Sequence, residues 1–221
     1  MQAVILAAGL GTRMKELTKD VPKPLLRSGS ETLLEQRLKN LHDAIGEVVI
    51  VVGYLGNRIR EALGDSQFGR KITYVVQNEL KGTGHALSLC EPVLTDRFLV
   101  LMGDDLYRKE DLTELLKHPL AVLAWNLPDD TNGRLWAELI RGEKGELLGI
   151  LEKRPGRPGM LINTGAYALD RRFFDHPLEP AGNDTAEFGL PQTIVRMAKK
   201  GEEIKIVPAS WWKNVTEPGD L

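Results

Sequence analysis

Gly9, Gly11, Arg13 and Lys23 stand close together near the start of the chain, in the stretch GLGTRMKELTKDVPKPLL over residues 9–26. Glycines bare the backbone, so consecutive N–H groups can converge on anionic oxygens, and Arg13 and Lys23 add full positive charges. Pro22 and Pro24 fix the backbone on both sides of Lys23 and so aim it. The chemistry this suits is the binding of a phosphate chain. No Walker lysine follows the glycines, and Met14 occupies the place of a third dinucleotide-binding glycine, so neither of those phosphate motifs is present.

Other side chains are spaced along the chain in similar settings. Gly103-Asp104-Asp105 follows an apolar run, and a carboxylate at such a strand end is a hard oxygen ligand of the kind Mg²⁺ takes beside phosphate oxygens. Gln77 precedes Lys81-Gly82-Thr83-Gly84-His85-Ala86, a second loop whose glycines permit close backbone approach. Taken alone, Asp105 reads as a solvated turn residue or cap, and His85 as a structural residue at a helix start. Glu152-Lys153 alone reads equally as a solvated surface pair or as part of a site.

Taken together, GxGTR, Thr18 and Pro22-Lys23-Pro24 resemble the signature of the sugar-phosphate nucleotidyltransferases at the same spacing. The GTGHA turn is most similar to the uridyltransferase domain of N-acetylglucosamine-1-phosphate and glucose-1-phosphate members. The resemblance spans nearly the whole chain. It implies that Ala8, Gly9, Gly11 and Thr12 receive the nucleotide, and that Gln77, Gly82 and Thr83 form the pyrimidine pocket. Arg13, Lys23 and Asp104 become the catalytic residues, with Asp104 as a Mg²⁺ ligand. Glu152-Lys153 resembles the family's EKP element, the Glu accepting from sugar hydroxyls and the Lys holding the sugar phosphate, and Asn163 matches a sugar-contacting Asn.

Two positions depart from the family pattern. Ala137, after Trp136, stands where many members carry Gly, which reshapes the sugar pocket. Asn214 stands where the second metal-binding Asp is usual, and can offer a metal only a neutral oxygen.

These residues need elements to hold them. The apolar run of residues 3–8 reads as a buried strand running into the first loop. Thr32 and Glu35 suggest a capping box, and Leu34, Leu38, Leu41 and Ile45 recur with helical spacing. Strands are expected at residues 47–52, 71–77, 97–102 and 203–207, helices at 57–63 and from Pro191 to the Gly201 end, and a hairpin at 141–145. From Leu120 the pattern changes to shorter strands with turns, one of them over residues 128–134. Residues 154–159, rich in Pro and Gly, read as a mobile loop over the sugar site. Alternating strands and helices imply an α/β fold with a parallel, helix-covered sheet, in which ligands gather beyond the carboxyl ends of strands.

The resemblance implies the same: one Rossmann-like domain over residues 1–221 with a mixed, mostly parallel sheet and a sugar-binding β excursion. Residues 1–119 would be the nucleotide-binding half and 120–221 mainly the sugar-binding half, with no left-handed β-helix domain. A length of 221 residues suffices for such a core. A net charge of −2 supplies no field for nucleic acid, so that partner is not expected. A single cysteine, Cys90, excludes an internal disulfide and reads as a small buried side chain. Neither a leader nor a membrane segment is evident, and the cytosol is the expected compartment.

The expected activity joins a nucleoside triphosphate, UTP first, to a sugar 1-phosphate, with Mg²⁺ as cofactor. Thymidylyl, guanylyl or cytidylyl transfer stays open, as does a catalytically silent nucleotide-sugar sensor, and a homo-oligomer is compatible with the sequence.

Overall fold

The computed structural model describes residues 1–128, 133–183 and 185–221. Of the turn expected over residues 128–134, residues 129–132 lie outside the described residues.

Among the described residues, ten strands form one sheet. Its centre is parallel: Gln2–Leu6 lies between Glu47–Val52 and Arg97–Met102, and Arg70–Val76 pairs beyond Glu47–Val52. The other side is antiparallel, with Leu161–Asp170 pairing Arg97–Met102, Ala121–Asn126 and Leu135–Arg141, and Leu147–Pro155 as the outer strand. Lys205–Pro208 joins Ala121–Asn126 in parallel. Because Leu161–Asp170 bridges the two sides, the expected halves share one continuous sheet.

The central strands are near-continuous apolar runs because both faces are covered. Ala3, Ile5, Val48, Ile50, Leu99 and Leu101 pack on one face, against Leu34 and Leu38 of α1 (Leu33–Lys39), Ile59 of α2 (Gly56–Leu63) and Leu112 of α4 (Lys109–Leu115). Val4, Leu6, Val49, Val51, Phe98 and Val100 pack on the other, against Leu87 of α3 (Gly82–Ser88) and Ile194 of α5 (Leu190–Lys199). Leu6 is level with both Val51 and Met102, so the loops leaving these strands open on the same edge. None of the described helices is long and apolar enough to cross a membrane.

Several expectations shift at their ends. The capping box forms, with the Glu35 N–H donating to Thr32 Oγ1 at 3.1 Å and the Thr32 N–H to Glu35 Oε2 at 2.8 Å. α1 nevertheless stops at Lys39: Leu41 and Ile45 are buried from the turn beyond it, because burial rather than helical register placed apolar residues there. The Gly82 turn is itself the first residue of α3, not a loop ahead of it. Residues 154–159, expected as a mobile loop, continue the Leu147–Pro155 strand and are then tied down. The Gly156 N–H donates to Arg134 O, the Gly159 N–H to Leu127 O, and Arg157 pairs with Glu138.

Arg37 lies on the apolar stripe of α1, 2% exposed. Its guanidinium donates to the backbone carbonyls of Gly103 and Asp105, Nη1 to Gly103 O and Nε to Asp105 O, both at 3.0 Å. Burial lowers its pKa, opposed in part by Asp105 and Asp104 nearby. Gly103 is also constrained by contact: its N–H donates to Leu6 O at 2.8 Å, and a Cβ there would collide with that carbonyl.

Two outcomes follow from this packing. Arg37→Met should lower the denaturant midpoint, since each orphaned buried carbonyl costs about 1–3 kcal/mol; an unchanged midpoint would show the carbonyls do not rely on it. Cys90 is buried and its thiol is pushed up to about 12 by burial. A thiol reagent at neutral pH should therefore label the protein only after denaturation, and labelling of the native chain would contradict that burial.

Candidate active site

Along this edge of the sheet the first loop turns at Gly11, whose φ of 66° is left-handed, and continues as a kinked 3-10 segment, Thr12–Thr18. Thr18 Oγ1 donates to Gly11 O at 3.0 Å and holds the turn closed. A Cβ on Gly11 would press on Thr18 and Lys23 as well as strain the backbone. Lys23 begins the next 3-10 turn, Lys23–Leu25, after the extended Pro22. Its buried ammonium donates to Asp104 Oδ2 at 2.6 Å. The structure thus brings Lys23 and Asp104 together. Arg13 is exposed at the mouth, and among the described residues no partner bonds it.

A cavity of about 560 Å³ opens here. Every residue expected to meet the nucleotide lines it: Ala8, Gly9, Gly11, Thr12, Arg13, Lys23, Gln77, Gly82, Thr83 and Asp104. Sequence reasoning missed Leu10, Leu80 and Glu187 as wall residues, and nothing in their types marks them out.

Gln77 is buried, and its amide nitrogen lies 3.1 Å from Gly82 O and 3.1 Å from His85 Nδ1. A carbonyl only accepts, so the amide nitrogen must occupy that place, and His85 Nδ1 must be the acceptor with its proton on Nε2. His85 therefore has a partner, which the sequence could not show. Gln77 Oε1 is left as an acceptor that none of the described residues uses. Thr83 Oγ1 accepts the Leu190 N–H at 3.0 Å, joining this turn to α5.

A second cavity of about 280 Å³ adjoins the first, and Thr83, Met102, Asp105 and Asn214 line both. Its other walls include Ala137, Glu152 and Asn163, all expected, and Trp136 and Trp212, which stack edge to face at 5.8 Å. Asn163 Nδ2 donates to the Tyr167 hydroxyl at 2.6 Å, and its Oδ1 accepts the Gly165 N–H at 3.0 Å. Burial raises the Glu152 pKa, countered by Gln192 and Lys153.

Lys153, expected to hold the sugar phosphate, lines neither cavity. The register explains this: Trp136 pairs with Arg154 and Glu138 with Leu151, so Glu152 and Lys153 bulge opposite Ala137. Lys153 takes a left-handed φ of 54°, which turns the side chain after Glu152 away from strand alternation.

Asp105, expected as a solvated turn residue, is instead 4% exposed. It sits on the short strand Asp105–Tyr107, paired antiparallel with Trp212–Asn214, and this pairing buries it between both cavities. Burial, with Asp104 adding to it, pushes its carboxyl up to about 8. Asn214 Nδ2 donates to Asp105 Oδ1 at 2.6 Å.

The donor set fits Mg²⁺. Asp104 and Asn214 offer hard oxygens on one cavity, and the Lys23 ammonium already occupies a cation's place beside Asp104. Among the described residues no group of three or more His, Cys, Asp or Glu could hold a metal unaided, so phosphate oxygens would complete the shell.

The chain is similar to known proteins in sequence and in fold. The family model described as Nucleotidyl transferase matches residues 2–215. The Bifunctional protein GlmU of Methanocaldococcus jannaschii is 26% identical over all of this chain and 52% of its own length, so the chain spans about half of such relatives. AglF of Haloferax volcanii is 29% identical over 96% of this chain and 90% of its own. A putative glucose-1-phosphate thymidylyltransferase from Bacillus anthracis superposes with a TM-score of 0.81 at 25% identity, covering 100% of this chain and 92% of that one. On the family match, the fold and the loop that carries Arg13 and Lys23, the chain belongs to the nucleotidyl transferase family.

Proposed function

We propose that the protein transfers a nucleoside monophosphate from a nucleoside triphosphate, UTP by preference, to a sugar 1-phosphate and releases pyrophosphate. The observation that carries this reading is the pair of adjoining cavities, one reached by Arg13 and Lys23 and the other lined by no Lys or Arg among the described residues, with Asp105 and Asn214 in the shared wall. An oxygen of the sugar phosphate forms the new bond to the α-phosphorus while the bond to the β-phosphate breaks, and that electron pair leaves with pyrophosphate. No general base is required, because a phosphate monoester with a second pKa of about 6 is already largely dianionic at neutral pH.

The protein's work is then positioning and neutralising charge. Backbone N–H groups from Ala8 to Thr12 and the exposed Arg13 receive the β- and γ-phosphates. Lys23, released from Asp104, follows the α-phosphate and the attacking group. Asp104 and Asn214 would hold Mg²⁺, which when bound supplies positive charge to the α-phosphate and pyrophosphate oxygens. Glu152 and Asn163 accept from and donate to the sugar, and the Ala137 methyl narrows its pocket.

The base reading rests on Gln77. With its amide nitrogen committed to Gly82 and His85, its oxygen faces a ligand as an acceptor, which suits the imino N–H of uracil or thymine. Purines must fit the same turn. The relative AglF is named a UTP–glucose-1-phosphate uridylyltransferase, and its length matches this chain's nearly end to end, which supports the same substrate class here.

A matrix of nucleoside triphosphates against sugar 1-phosphates, read by pyrophosphate release, tests the reading: UTP or dTTP should lead, and a purine triphosphate turning over as well contradicts it. In Gln77→Ala the pyrimidine preference should shrink by roughly 1–3 kcal/mol, the cost of one unpaired buried polar group. Arg13→Ala and Lys23→Ala should each lower kcat/KM by about 2.7–4 kcal/mol while circular dichroism stays native. Near-normal turnover in either removes that residue from the transfer.

A further inference from the structure

Asp105 is a buried carboxylate for which the proposed transfer has no use. Its backbone is held, because Arg37 Nε donates to its carbonyl, and its side chain is held too, between two partners. Oδ1 accepts from Asn214 Nδ2 at 2.6 Å, while Oδ2 lies 3.4 Å from the Tyr107 hydroxyl, which itself donates to Thr164 O at 2.8 Å. The backbone pairing of Asp105 with Asn214 across the two short strands sets that distance.

An Asn amide has two ends of nearly equal shape, and only one can meet a cation. If the NH₂ end faces the cavity, its partial positive charge repels a metal; if the carbonyl faces it, a neutral oxygen ligand is on offer. The Tyr107 hydroxyl spends its proton on Thr164 O, so its oxygen can accept from Asp105 Oδ2, and a proton on the carboxyl has its place there; Oδ1 is left to accept from the Asn214 amide, and the nitrogen end must point at it. On the other end the Thr216 hydroxyl donates to Asn214 Oδ1, which still keeps a second lone pair. The two contacts permit one orientation of the amide.

We infer that Asp105 is a positioning residue that fixes the Asn214 side chain with its carbonyl oxygen available to a divalent cation. This rests on the reading of Asn214 as an oxygen donor to that cation. It also accounts for the departure at position 214: a carboxylate there would need no orienting partner, whereas a carboxamide does, and the acid it lacks stands across the ribbon at position 105. The carboxylate acts through Asn214 and need not touch the metal.

The test is the dissociation constant of Mn²⁺ from the enzyme saturated with α,β-methylene-UTP, read from the electron paramagnetic resonance of free Mn²⁺, with no turnover involved. Asn214→Ala should weaken Mn²⁺ by about tenfold or more, and Asp105→Ala should do the same, as the loss of a ligand's orienting partner typically costs about 10–100-fold. Asp105→Asn should stay within about twofold of the wild type, because its oxygen still accepts from Asn214 and its NH₂ can donate to the Tyr107 oxygen.

Asn214→Asp combined with Asp105→Ala should recover wild-type affinity or better, since both oxygens at 214 are then equivalent. A native melting curve for each variant accompanies the titrations, and the conservative Asp105→Asn keeps the test decisive if Asp105→Ala unfolds. Equal losses in Asp105→Asn and Asp105→Ala would overturn the inference in favour of a direct action of the charge. A weakened Asn214→Ala beside an unchanged Asp105→Ala overturns the inference alone. An unchanged Asn214→Ala overturns the reading of Asn214 as a ligand, and the inference with it.

Discussion

The guanidinium of Arg37 is the contact on which the site depends. It is buried, no carboxylate among the described residues pairs with it, and it spends its donors on two backbone carbonyls of the turn that carries Asp104 and Asp105. A charge in such a place is tolerated only when its hydrogen-bonding capacity is used and opposite charge lies near, and Asp104 and Asp105 supply the second condition. The same contact joins α1 to the end of the Arg97–Met102 strand. Helix packing, turn geometry and the position of the site carboxylates are therefore one constraint.

Around this turn, charges are paired provisionally and amides permanently. Lys23 and Asp104 form a 2.6 Å ion pair in the wall of the larger cavity, in a place that an anionic ligand and a cation would otherwise occupy. Such a pair keeps a Lys and an Asp compatible in the absence of ligand, and it can exchange partners when phosphate arrives. Gln77 and Asn214 differ, because each amide has its nitrogen held by a neighbour that accepts from it. Among the described residues nothing donates to the Gln77 oxygen, and the Asn214 oxygen, which accepts from the Thr216 hydroxyl, keeps one lone pair. Preorganised polar groups of this sort contribute most where water is excluded.

The smaller cavity is shaped by an irregularity in the sheet. A bulge at Glu152 and Lys153 opposite Ala137 leaves Glu152 on the cavity wall and carries Lys153 out of it. A second register shift lies further along the same pair, between Ile140 and Arg141, so it is the one at Ala137 that decides which of two adjacent charges meets the cleft.

Much of this was legible in the residues. Apolar runs of the right length marked the central strands, since strands covered on both faces must be apolar throughout. The capping residues Thr32 and Glu35 marked the start of α1, and glycines and prolines marked the turn around Lys23. Phosphate chemistry needs bare backbone and positive charge close in sequence, so it leaves a local pattern, and the pairing of Arg13 and Lys23 with one loop needed no tertiary information. What the chain could not show on its own were contacts between residues far apart in it: Arg37 with the turn at Gly103, His85 with the amide of Gln77, Asp105 with Asn214. One signal was present, a lone Arg among the apolar stripe positions of α1, but its partner lay 66 residues away. Packing of α1 and α3 against the sheet decided the first two of these pairings, and strand register decided the third, with whether Asp105 was buried and whether Lys153 faced the cleft, because register depends on how whole strands pack and not on the residues that end up opposite each other.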